Sequence, residues 1–378
     1  MSTRYLGEST PKLGFGLMRL PVAGSDPMHD AIRLDLVEAM VDRFLAKGFT
    51  YFDTAYVYGG GRSETAFRDA VALRHPRPSY QLADKLPLWP AKSRDDLRPL
   101  FETSLARTGA GYFDYYLLHA LDAATYELTE KFDAWRFLLE LKAEGRILHA
   151  GFSFHDSAEV LDRILTAHPE AEFVQLQINY ADWENADVQS RLCYETARRH
   201  GKPVIVMEPV RGGFLADMND ESVRIFKSAA PESSVASWAL RYAASLDGII
   251  TVLSGMSTME QVVDNTDVMA DFKPLGEAER AVVARVVDVL AKTPTIPCTD
   301  CKYCVAGCPS KIPIPDVLSL LNDVATYGKP VSAKVIYGMV TREGGKASEC
   351  TACGACEGIC PQHIGIIRHM EVAAATLE

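Results

Sequence analysis

The sequence predicts an α/β protein with a (β/α)8 barrel followed by a smaller, mainly helical domain. Up to about residue 270, short apolar β-prone runs alternate with helical segments eight times, which suits a barrel of ~250 residues. These runs are almost continuously apolar, as in parallel strands that are covered on both faces. Eight of the nine cysteines lie after residue 297, so the last part of the chain is expected to form a domain of another kind.

The predicted strands follow one another at regular intervals. They span residues 12–18, 50–55, 80–86, 112–120, 147–154, 173–180, 203–210 and 248–256. Amphipathic helical patterns lie between them, among others at 35–48, 130–145 and 233–245, and several end at Gly. A doubly wound open sheet is the alternative architecture. Because no G-x-G-x-x-G turn follows the first strand, the barrel is favoured.

A change in composition marks the end of the barrel. A helical pattern at 277–292 precedes TPTIP, in which two prolines within five residues indicate a linker. We therefore predict a barrel domain over residues 1–292 and a cysteine-rich domain over residues 293–378.

Composition argues against several classes of function. The 378 residues carry a formal net charge of −11, which argues against binding to nucleic acid or to an anionic membrane. No apolar run approaches the ~20 residues of a membrane helix, and the opening residues MSTRYLGEST lack the pattern of a secretory signal. We therefore expect a cytoplasmic protein without a nucleic-acid or membrane partner.

Four polar side chains stand at or just beyond predicted strand ends. Asp53 closes the second strand, and Tyr58 follows it in the loop FDTAYVYG. Lys85 lies near the end of the third strand, and His119 lies at the end of the fourth. Because a (β/α)8 barrel carries its chemistry at the carboxyl ends of its strands, these four side chains are candidate catalytic groups.

Their types fit acid–base chemistry on a carbonyl group. A phenol has a pKa near 10, and a nearby ammonium lowers that pKa toward neutrality. Lys85 can supply the ammonium, Asp53 can pair with it, and His119 can hydrogen-bond the substrate oxygen. Each residue alone also has a structural explanation, as a cap, a surface charge, a core histidine or a wall residue. Their combination and spacing favour catalysis.

Seven segments of the chain resemble a known family in the same order. They are YFDTAYVYGGGRSE, ADKLP, DYYLLHAL, HAGFSFHD, VQLQINY, EPVRGGFL and SGMSTMEQVVDNTD. Over about residues 5–270 the chain thus resembles the aldo-keto reductases. The resemblance implies a barrel oxidoreductase that uses a nicotinamide cofactor without a Rossmann domain. It also implies that Tyr58 is the general acid/base, that Lys85 and Asp53 tune it, and that His119 orients the carbonyl.

The same resemblance implies a cofactor site at the strand ends. Ser153 is expected to hydrogen-bond the nicotinamide carboxamide, EPVRGG to lie along the pyrophosphate, and SGMSTMEQVVDN to hold the adenosine end. Met207 stands where many relatives stack a tyrosine on the nicotinamide ring. The residues expected to contact the cofactor are Ser153, Gln177, Asn179, Met207, Pro209, Arg211, Gly212, Gly255, Ser257, Gln261 and Asn265.

The last of these motifs bears on the choice between NADH and NADPH. Relatives that prefer NADPH place Lys or Arg there to meet the 2′-phosphate. Between Ser254 and Asn265 this chain has no basic residue and has the acidic Glu260 and Asp264. Because a phosphate is usually stabilised by charge-assisted pairing, we predict that NADH is preferred over NADPH, or that the two are weakly discriminated.

The cysteine-rich domain contains the pattern C-x2-C-x2-C-x3-C-P twice. This is the pattern of bacterial two-cluster ferredoxins, in which the fourth cysteine of each run serves the other cluster. The predicted ligands of one [4Fe–4S] cluster are Cys298, Cys301, Cys304 and Cys360. The predicted ligands of the other are Cys350, Cys353, Cys356 and Cys308. Helical patterns at 315–328 and 331–340 between the runs resemble helical ferredoxin-like domains.

Zinc sites and disulfides are the alternatives to iron–sulfur clusters for these cysteines. Zinc sites also use C-x2-C pairs, but two runs of four cysteines with a proline favour clusters. Disulfides are disfavoured in a reducing compartment. The clusters either staple a tail with a modest apolar core or exchange electrons with a ferredoxin-like redox partner. Nicotinamide moves electrons in pairs, so the second role calls for a flavin. No flavin motif is present, but barrels bind FMN without a simple signature, and FMN stays open.

The sequence thus predicts an oxidoreductase that transfers hydride between NADH or NADPH and a small-molecule carbonyl or alcohol. One alternative is an electron-transfer protein in which the clusters exchange electrons with a partner or a barrel-bound cofactor. Another is a regulatory, non-catalytic barrel, which the presence of all four candidate catalytic residues disfavours. Aromatic residues after the strands are candidate walls of an apolar substrate pocket: Trp89, Phe154, Trp183 and Phe214.

Overall fold

A closed barrel of eight parallel strands forms the first part of the protein. The computed structural model describes residues 6–7, 10–24, 30–328 and 331–378. Each strand pairs with the next, and the first pairs with the last. The strands are β1 Leu13–Gly16, β2 Tyr51–Asp53, β3 Gln81–Leu86, β4 Phe113–Leu121, β5 Ile147–Phe154, β6 Phe173–Gln177, β7 Val204–Met207 and β8 Ile249–Ser254. The predicted (β/α)8 barrel is confirmed.

Helices follow the strands and continue beyond the barrel. Those up to residue 276 are α1 Leu34–Ala46, α2 Arg62–Phe67, α3 Leu97–Thr108, α4 Ala123–Lys131, α5 Ala134–Ala143, α6 Ala158–Ala167, α7 Ser190–Arg199, α8 Asp220–Ala229, α9 Val235–Ala244 and α10 Met259–Ala270. The later ones are α11 Glu277–Ala291, α12 Tyr303–Ala306, α13 Ile314–Tyr327, α14 Val331–Val340, α15 Ala355–Ile359 and α16 Ile366–Leu377. The part after the barrel is mainly helical, as predicted.

Side chains alternate between the barrel interior and the surrounding helices along each strand. The interior holds a compact apolar cluster: Tyr51, Ala83, Tyr115, Leu117, Phe173, Ile205, Ile250 and Leu253. Neighbours in sequence such as Phe52, Leu82 and Tyr116 belong instead to the larger core that includes the helices. The strand period of two dictates this division, and it sets which polar residues face inward farther along the strands.

Gly151 of β5 makes room for an aromatic ring inside the barrel. A Cβ at this position would stand 2.5 Å from the Phe173 carbonyl oxygen and 2.7 Å from its ring. Phe173 is fully buried and packs edge-on against Tyr115 at 5.3 Å between ring centroids. The sequence HAGFSF therefore has its glycine where β5 and β6 approach closely.

The structure changes two predicted element boundaries in an informative way. The segment 130–145 is not one helix, because Asp133 has φ of 51° and separates α4 from α5. The strand predicted over 203–210 ends at Met207, because Glu208 has φ of 54°. Left-handed backbone at a residue other than glycine costs energy and interrupts regular structure, and apolar periodicity does not reveal it.

The described chain forms two compact units. The first runs to Val210 and resumes over Ser237–Gly276, and it contains the whole barrel sheet. The second comprises Arg211–Ala236 and Glu277–Glu378. The segment after β7 therefore belongs with the tail in packing terms. The predicted division into two domains after residue 292 stays a prediction.

Within the second unit, helices pack around the cysteine runs. Helix α8 packs against α11, and α13 packs against α11, α12, α14 and α16. Tyr337 of α14 donates to a carboxylate oxygen of Glu378 at 2.7 Å and accepts from the Ala347 N–H at 2.7 Å. This hydrogen-bonded tyrosine ties α14 to the segment that precedes the second cysteine run and to the end of α16.

The two halves of the cysteine region repeat the same local structure. Short helices α12 and α15 follow the second cysteine of each run, and α13 and α16 begin at equivalent positions. Left-handed backbone recurs at matching places: Asp300 and Ala352, Lys302 and Gly354, Lys311 and His363. The repeat in sequence is thus a repeat in conformation. In the described part of the chain, no helix is both long and apolar enough to span a membrane.

Candidate active site and cysteine cavities

The period of the barrel strands places three of the predicted catalytic residues in one layer. Asp53, Lys85 and His119 each stand two positions after an interior residue, namely Tyr51, Ala83 and Leu117. They therefore point into the barrel, one step closer to its carboxyl end. All three are buried, at 3%, 1% and 8% exposure. The structure brings together the residues that the sequence singled out.

Lys85 and Asp53 form a buried ion pair at this level. The Lys85 Nζ donates to Asp53 Oδ1 at 2.6 Å and to the Thr54 carbonyl oxygen at 2.8 Å. Burial tends to lower the pKa of Lys85, but Asp53 and its other neighbours reverse this and raise the pKa. Burial raises the pKa of Asp53, and Lys85 opposes the rise. The ammonium is thus fixed in position and charge.

Tyr58 lies beside this ammonium, in the loop after β2. The Lys85 Nζ stands 5.0 Å from the centroid of the Tyr58 ring. Burial raises the pKa of Tyr58, while the charge and hydrogen bonding of Lys85 act to lower it. The sequence predicted only the lowering of this pKa by Lys85. Because the effect of burial outweighs that of Lys85, the pKa of Tyr58 is raised and the phenol keeps its proton at neutral pH. A proton donor must be in this protonated form.

A bulge in β4 aims His119. The pairing of β4 with β5 shifts between Leu118 and Leu121, and Ala120 has φ of 54°. The freed Ala120 N–H donates to Ser153 Oγ at 2.7 Å. Bulges re-aim side chains in this way at many active sites. The His119 ring lies 5.9 Å from the Tyr58 ring and 5.3 Å from the Trp89 ring, between centroids.

Four buried polar atoms of residues that face the barrel interior lack hydrogen-bond partners among the described residues. They are the Tyr51 hydroxyl, Asp53 Oδ2, His119 Nδ1 and Gln175 Oε1. Burial, with the charge of Lys85, lowers the pKa of His119 to about 3, so its imidazole is neutral. Buried polar groups are nearly always paired in native proteins, and a bound ligand can supply the missing partners. The chemistry of these residues therefore fits a polar ligand.

The predicted nicotinamide contacts on and just after β5 and β6 are polar groups with defined hydrogen-bond partners. Ser153 is buried, and its hydroxyl accepts from the backbone of β4. Gln177 and Asn179 both donate to Asp182 Oδ2, at 3.1 Å and 2.8 Å. Asn179 also donates to the Glu208 carbonyl oxygen at 3.2 Å. Asp182, 1% exposed, organises the two amides.

After β7 the backbone turns sharply at the predicted cofactor loop. Met207 is half-buried, and its Sδ accepts from Gln175 Nε2 at 3.7 Å. Pro209 is buried two residues later. Arg211 and Gly212 belong to the second unit, where Arg211 forms an ion pair with Asp323 and lies 5.2 Å above the Tyr327 ring.

The last predicted cofactor motif precedes and enters α10. Ser257 donates to the Arg19 carbonyl oxygen at 2.6 Å, and its N–H donates to Gln261 Oε1 at 2.7 Å. Asn265 is buried and donates to Ser254 Oγ at 3.0 Å. Gly255 stands beside the Arg19 side chain, which a Cβ would approach at 3.8 Å. The motif itself lacks a basic residue, but the short 3-10 helix Leu17–Arg19 after β1 supplies one, Arg19.

The proposed aromatic pocket walls have different surroundings. Trp89 is 49% exposed and adjoins His119. Phe154 is buried in the large core, and Trp183 packs edge-on against Tyr242. Phe214 lies in the second unit, 5.3 Å from the Tyr327 ring. Of the four, Trp89 is the one seen in contact with a candidate catalytic residue.

Two cavities in the second unit are lined by the cysteines in the predicted sets. Cys298, Cys301, Cys304 and Cys360 line one cavity. Cys308, Cys350, Cys353 and Cys356 line the other. Each cavity thus takes three cysteines from one run and the fourth from the other run. Ile366 lines both cavities, so they are neighbours.

None of the nine cysteines forms a disulfide, and Cys193 is buried in α7. Among the described residues, no group of three or more His, Cys, Asp or Glu side chains is placed to hold a single metal ion. The cysteines of each set line a shared cavity. The donor set and the spacing therefore fit a cluster better than one zinc ion.

Sequence reasoning missed several polar residues of this region. Asp182 follows β6 by five residues, so the strand-end rule that found the others could have found it. Asp84 and Glu64 are fully buried close to Lys85, and the acidic residue within the apolar run LADKL was a signal for the first of them. Arg19 was not detectable, since only the fold brings it beside Gly255.

Comparisons with known proteins agree with these observations. The model of the Aldo/keto reductase family matches residues 12–287, and the model of a 4Fe-4S dicluster domain matches residues 297–364. An aldo-keto reductase of Glycine max is 28% identical over 217 residues, which is 55% of this chain and 58% of that protein. L-galactose dehydrogenase of Arabidopsis thaliana is 26% identical over 302 residues, which is 72% of this chain and 89% of that protein.

The solved structures share the fold. An aldo-keto reductase from Klebsiella pneumoniae in complex with NADPH superposes with a TM-score of 0.58 at 23% identity. The match covers 75% of this chain and 93% of that one. The chain spans less than two thirds of the length of several curated relatives that it matches.

Proposed function

The chain belongs to the aldo/keto reductase family, and from this premise we propose that it transfers hydride between a nicotinamide cofactor and a small-molecule carbonyl or alcohol. The observation that carries the proposal is the buried Lys85–Asp53 ion pair at 2.6 Å, with Tyr58 beside the ammonium. A desolvated, oriented cation next to a phenol is what proton donation to a carbonyl oxygen requires.

In the direction of reduction, Tyr58 donates its phenolic proton to the carbonyl oxygen. The carbonyl carbon gains a hydride and the oxygen gains this proton, so an alcohol results. Lys85 stabilises the phenolate that remains, because its ammonium is close and poorly solvated. Asp53 keeps the ammonium in position, and the phenolate regains its proton from solvent. Alcohol oxidation reverses these steps, with Tyr58 as the base.

His119 serves as a neutral hydrogen-bonding group at the substrate oxygen. Its lowered pKa of about 3 excludes a second fixed cation next to Lys85. A neutral imidazole can donate an N–H to the carbonyl oxygen while Tyr58 delivers the proton. This fixes the oxygen between two donors, and such positioning accounts for much of the effect of catalytic groups.

The nicotinamide cofactor supplies or accepts the hydride. Ser153 and Gln177 would hold the carboxamide end, with Asn179 fixed by Asp182. The remaining proposed contacts are Met207 and Pro209 after β7, Arg211 and Gly212 in the following segment, and Gly255, Ser257, Gln261 and Asn265 around the start of α10. The hydroxyl and amide donors of this set suit the carboxamide and ribose groups.

NADH is the proposed preferred form, or discrimination is weak. Glu260 in the first turn of α10 disfavours an extra phosphate. Arg19, whose side chain adjoins Gly255, acts in the other direction, and the Klebsiella pneumoniae structure contains NADPH. Because these contributions oppose each other, we favour weak discrimination between NADH and NADPH.

We propose that the dicluster domain holds two [4Fe–4S] clusters on the ligand sets predicted from the cysteine spacing, which the linings of the two cavities support. The cavities share Ile366, and this proximity supports electron exchange between the two clusters. A ferredoxin-like protein is the proposed redox partner. A structural role for the clusters is supported by the small core of the tail. Electron transfer from nicotinamide to the clusters would need a carrier such as FMN. We have identified no FMN-binding set among the described residues, so FMN is not part of the proposal. Stable clusters suit a reducing, cytoplasmic setting.

Replacement of Tyr58 by Phe tests the proposed reaction. We expect kcat/KM for carbonyl reduction to fall by at least ~10²-fold, as for other positioned general acids, while fluorescence titration shows unchanged NADH and NADPH binding. Tyr56→Phe is the matched control, since it keeps the ring that packs under Arg107 at 4.6 Å and removes only a hydroxyl that has no proposed part in catalysis. Wild-type turnover in Tyr58→Phe would contradict the assignment.

Anaerobic mixing with NADH separates the hydride-transfer proposal from the electron-transfer alternative. If the clusters only support the fold, their visible absorbance stays constant when NADH is added without substrate. Rapid bleaching under those conditions would show that the clusters accept electrons from the cofactor, and it would favour the electron-transfer alternative.

A further inference from the structure

Two buried carboxyl groups lie behind the candidate active site. Asp84 precedes Lys85 on β3 and therefore faces away from the barrel interior, toward the surrounding helices. Glu64 stands in the first turn of α2. Both residues are 0% exposed, and their side chains are within hydrogen-bonding contact of each other. We call Glu64 and Asp84 the buried carboxyl pair.

Each member of the pair has one satisfied and one unsatisfied oxygen. Asp84 Oδ1 accepts from the Lys85 backbone N–H at 2.7 Å. Glu64 Oε2 accepts from Arg107 Nη1 at 2.9 Å. The other two oxygens, Asp84 Oδ2 and Glu64 Oε1, are buried without a partner among the described residues. Two ionised oxygens left unpaired in such a place would be costly, whereas one proton between them satisfies both.

The surrounding charges also call for one proton. Arg107 is the cation in contact with the pair, and the ammonium of Lys85 is paired with Asp53. The nearby Tyr116 phenol is buried, and its pKa is raised well above its usual value by burial and by the pair, so it is neutral. With one proton, the pair carries a single negative charge that Arg107 balances. Without it, one buried charge has no counterion.

The pair connects the Lys85 strand to the Tyr58 loop. Arg107, which holds Glu64, also donates to the Tyr56 carbonyl oxygen at 3.3 Å and covers the Tyr56 ring. Gly61 makes room for this guanidinium, because a Cβ there would stand 2.6 Å from Arg107 Nη1. Gly61 has φ of 88°, so the backbone also favours glycine. The contacts run from Lys85 through the pair and Arg107 to the loop of Tyr58.

We propose that Glu64 and Asp84 share one proton, and that the singly protonated pair positions Lys85 relative to Tyr58. Asp84 accepts from the Lys85 backbone N–H, and Glu64 accepts from Arg107, which also donates to the Tyr56 carbonyl oxygen in the loop before Tyr58. Neither carboxyl touches the reacting atoms, so both are positioning residues. The positioning part of this inference rests on the proposed function of Lys85 and Tyr58. The shared proton does not.

Infrared difference spectroscopy of the resting protein tests the shared proton. At neutral pH we expect a carbonyl stretch of a protonated carboxylic acid that disappears in Asp84→Asn. Glu102→Gln is the control, since Glu102 forms a half-exposed ion pair with Arg146 and should leave the band unchanged. Absence of an acid band that depends on Asp84 would overturn the proposal. The measurement needs no substrate, so its outcome is independent of whether Tyr58 is the acid/base.

Kinetics of two Asp84 variants test the positioning role. In Asp84→Asn the amide N–H takes the place of the shared proton, so kcat should stay within about threefold of wild type. In Asp84→Leu no proton can be shared, and we expect kcat to fall about 10- to 100-fold, a range typical of misplaced catalytic groups. Full activity in Asp84→Leu would contradict the positioning role. If Asp84→Leu does not fold, a fall of about 10- to 100-fold in the kcat of Asp84→Asn would contradict the positioning role instead.

Discussion

Burial sets the protonation states of the side chains around Lys85. It lowers the pKa of His119 to about 3 and raises the pKa of Tyr58, so both groups are neutral at pH 7. The one ammonium in this layer keeps its charge because Asp53 is 2.6 Å away. Two neutral donors near a buried cation form an arrangement that favours negative charge developing on a substrate oxygen.

We expect His119 to stay neutral between pH 5 and pH 8. Its pKa in the folded protein, about 3, lies below the unfolded value of 6.5. The unfolded chain therefore binds a proton that the folded protein does not, and stability is lost as pH falls below about 6.5. Nitrogen NMR of labelled histidine, with His119→Gln for assignment, should show no His119 titration in this range. A midpoint between pH 5 and 7 would contradict the burial argument.

Single residues were predictable where strand geometry alone decides their orientation. Asp53, Lys85 and His119 end apolar runs, and the period of two then points them inward. Glu64 was not predicted, because its importance comes from a partner in another element: it adjoins Asp84 of β3. A buried contact across elements has no local sequence signal.

At the scale of elements, Glu172 joins β5, β6 and the end of α5. It stands just before β6 and accepts from the Ala150 N–H at 2.9 Å and from the Lys142 ammonium at 2.6 Å. His149 Nδ1 lies 3.2 Å from its other oxygen. Burial tends to raise the pKa of Glu172, but the hydrogen bonds of His149 and Lys142 outweigh it and lower the pKa to about 2.

Replacement of Glu172 by Gln should destabilise the barrel in a pH-dependent way. The folded pKa of about 2 is below the unfolded 4.5, so the contribution is complete above about pH 4.5 and is lost as pH falls toward 2. We expect Glu172→Gln to lower the free energy of unfolding by about 1.5–3 kcal/mol at pH 7, the range for hydrogen bonds to charged groups.

Urea unfolding at pH 7 and pH 3 measures this effect. The difference between wild type and Glu172→Gln should shrink at the lower pH. Glu102→Gln removes a more exposed pair with Arg146 and should change stability by less than about 1 kcal/mol. An equal loss at both pH values would mean that Glu172 acts through packing and not through its charge.

Whole elements followed from the sequence more readily than their interruptions. All eight strands were predicted because a parallel barrel needs nearly continuous apolar runs. The break at Asp133 and the bulge at Ala120 were not predicted, since both depend on left-handed backbone at residues other than glycine. The bulge matters for the candidate active site, because it orients His119 and lets the Ala120 N–H donate to Ser153 Oγ.

At the scale of the whole molecule, the chain combines one closed barrel with a repeated cysteine domain. The spacing of the cysteines predicted both the domain and the exchange of fourth cysteines, and the two cavities agree with this exchange. The packing of Arg211–Ala236 with the tail was not predictable, because it depends on contacts such as Arg211 with Asp323. No periodicity within the segment carries that information.

Paired cysteine replacements test the exchange of ligands between the two runs. Cys308 and Cys356 line the same cavity, although they belong to different runs. Cys304 and Cys308 belong to one run but line different cavities. Replacement of Cys308 and Cys356 by Ser should therefore remove one cluster and leave the other, while replacement of Cys304 and Cys308 should damage both.

Iron and sulfide content per chain, with EPR of the reduced protein, distinguishes these outcomes. We expect about half the wild-type iron in the first double variant and little iron in the second, because a [4Fe–4S] cluster needs all four thiolates. Cys193→Ser is the control, as Cys193 lies in α7, away from both cavities. If the variant lacking Cys304 and Cys308 kept one intact cluster, each run would serve its own cluster, and the crossed assignment would be wrong.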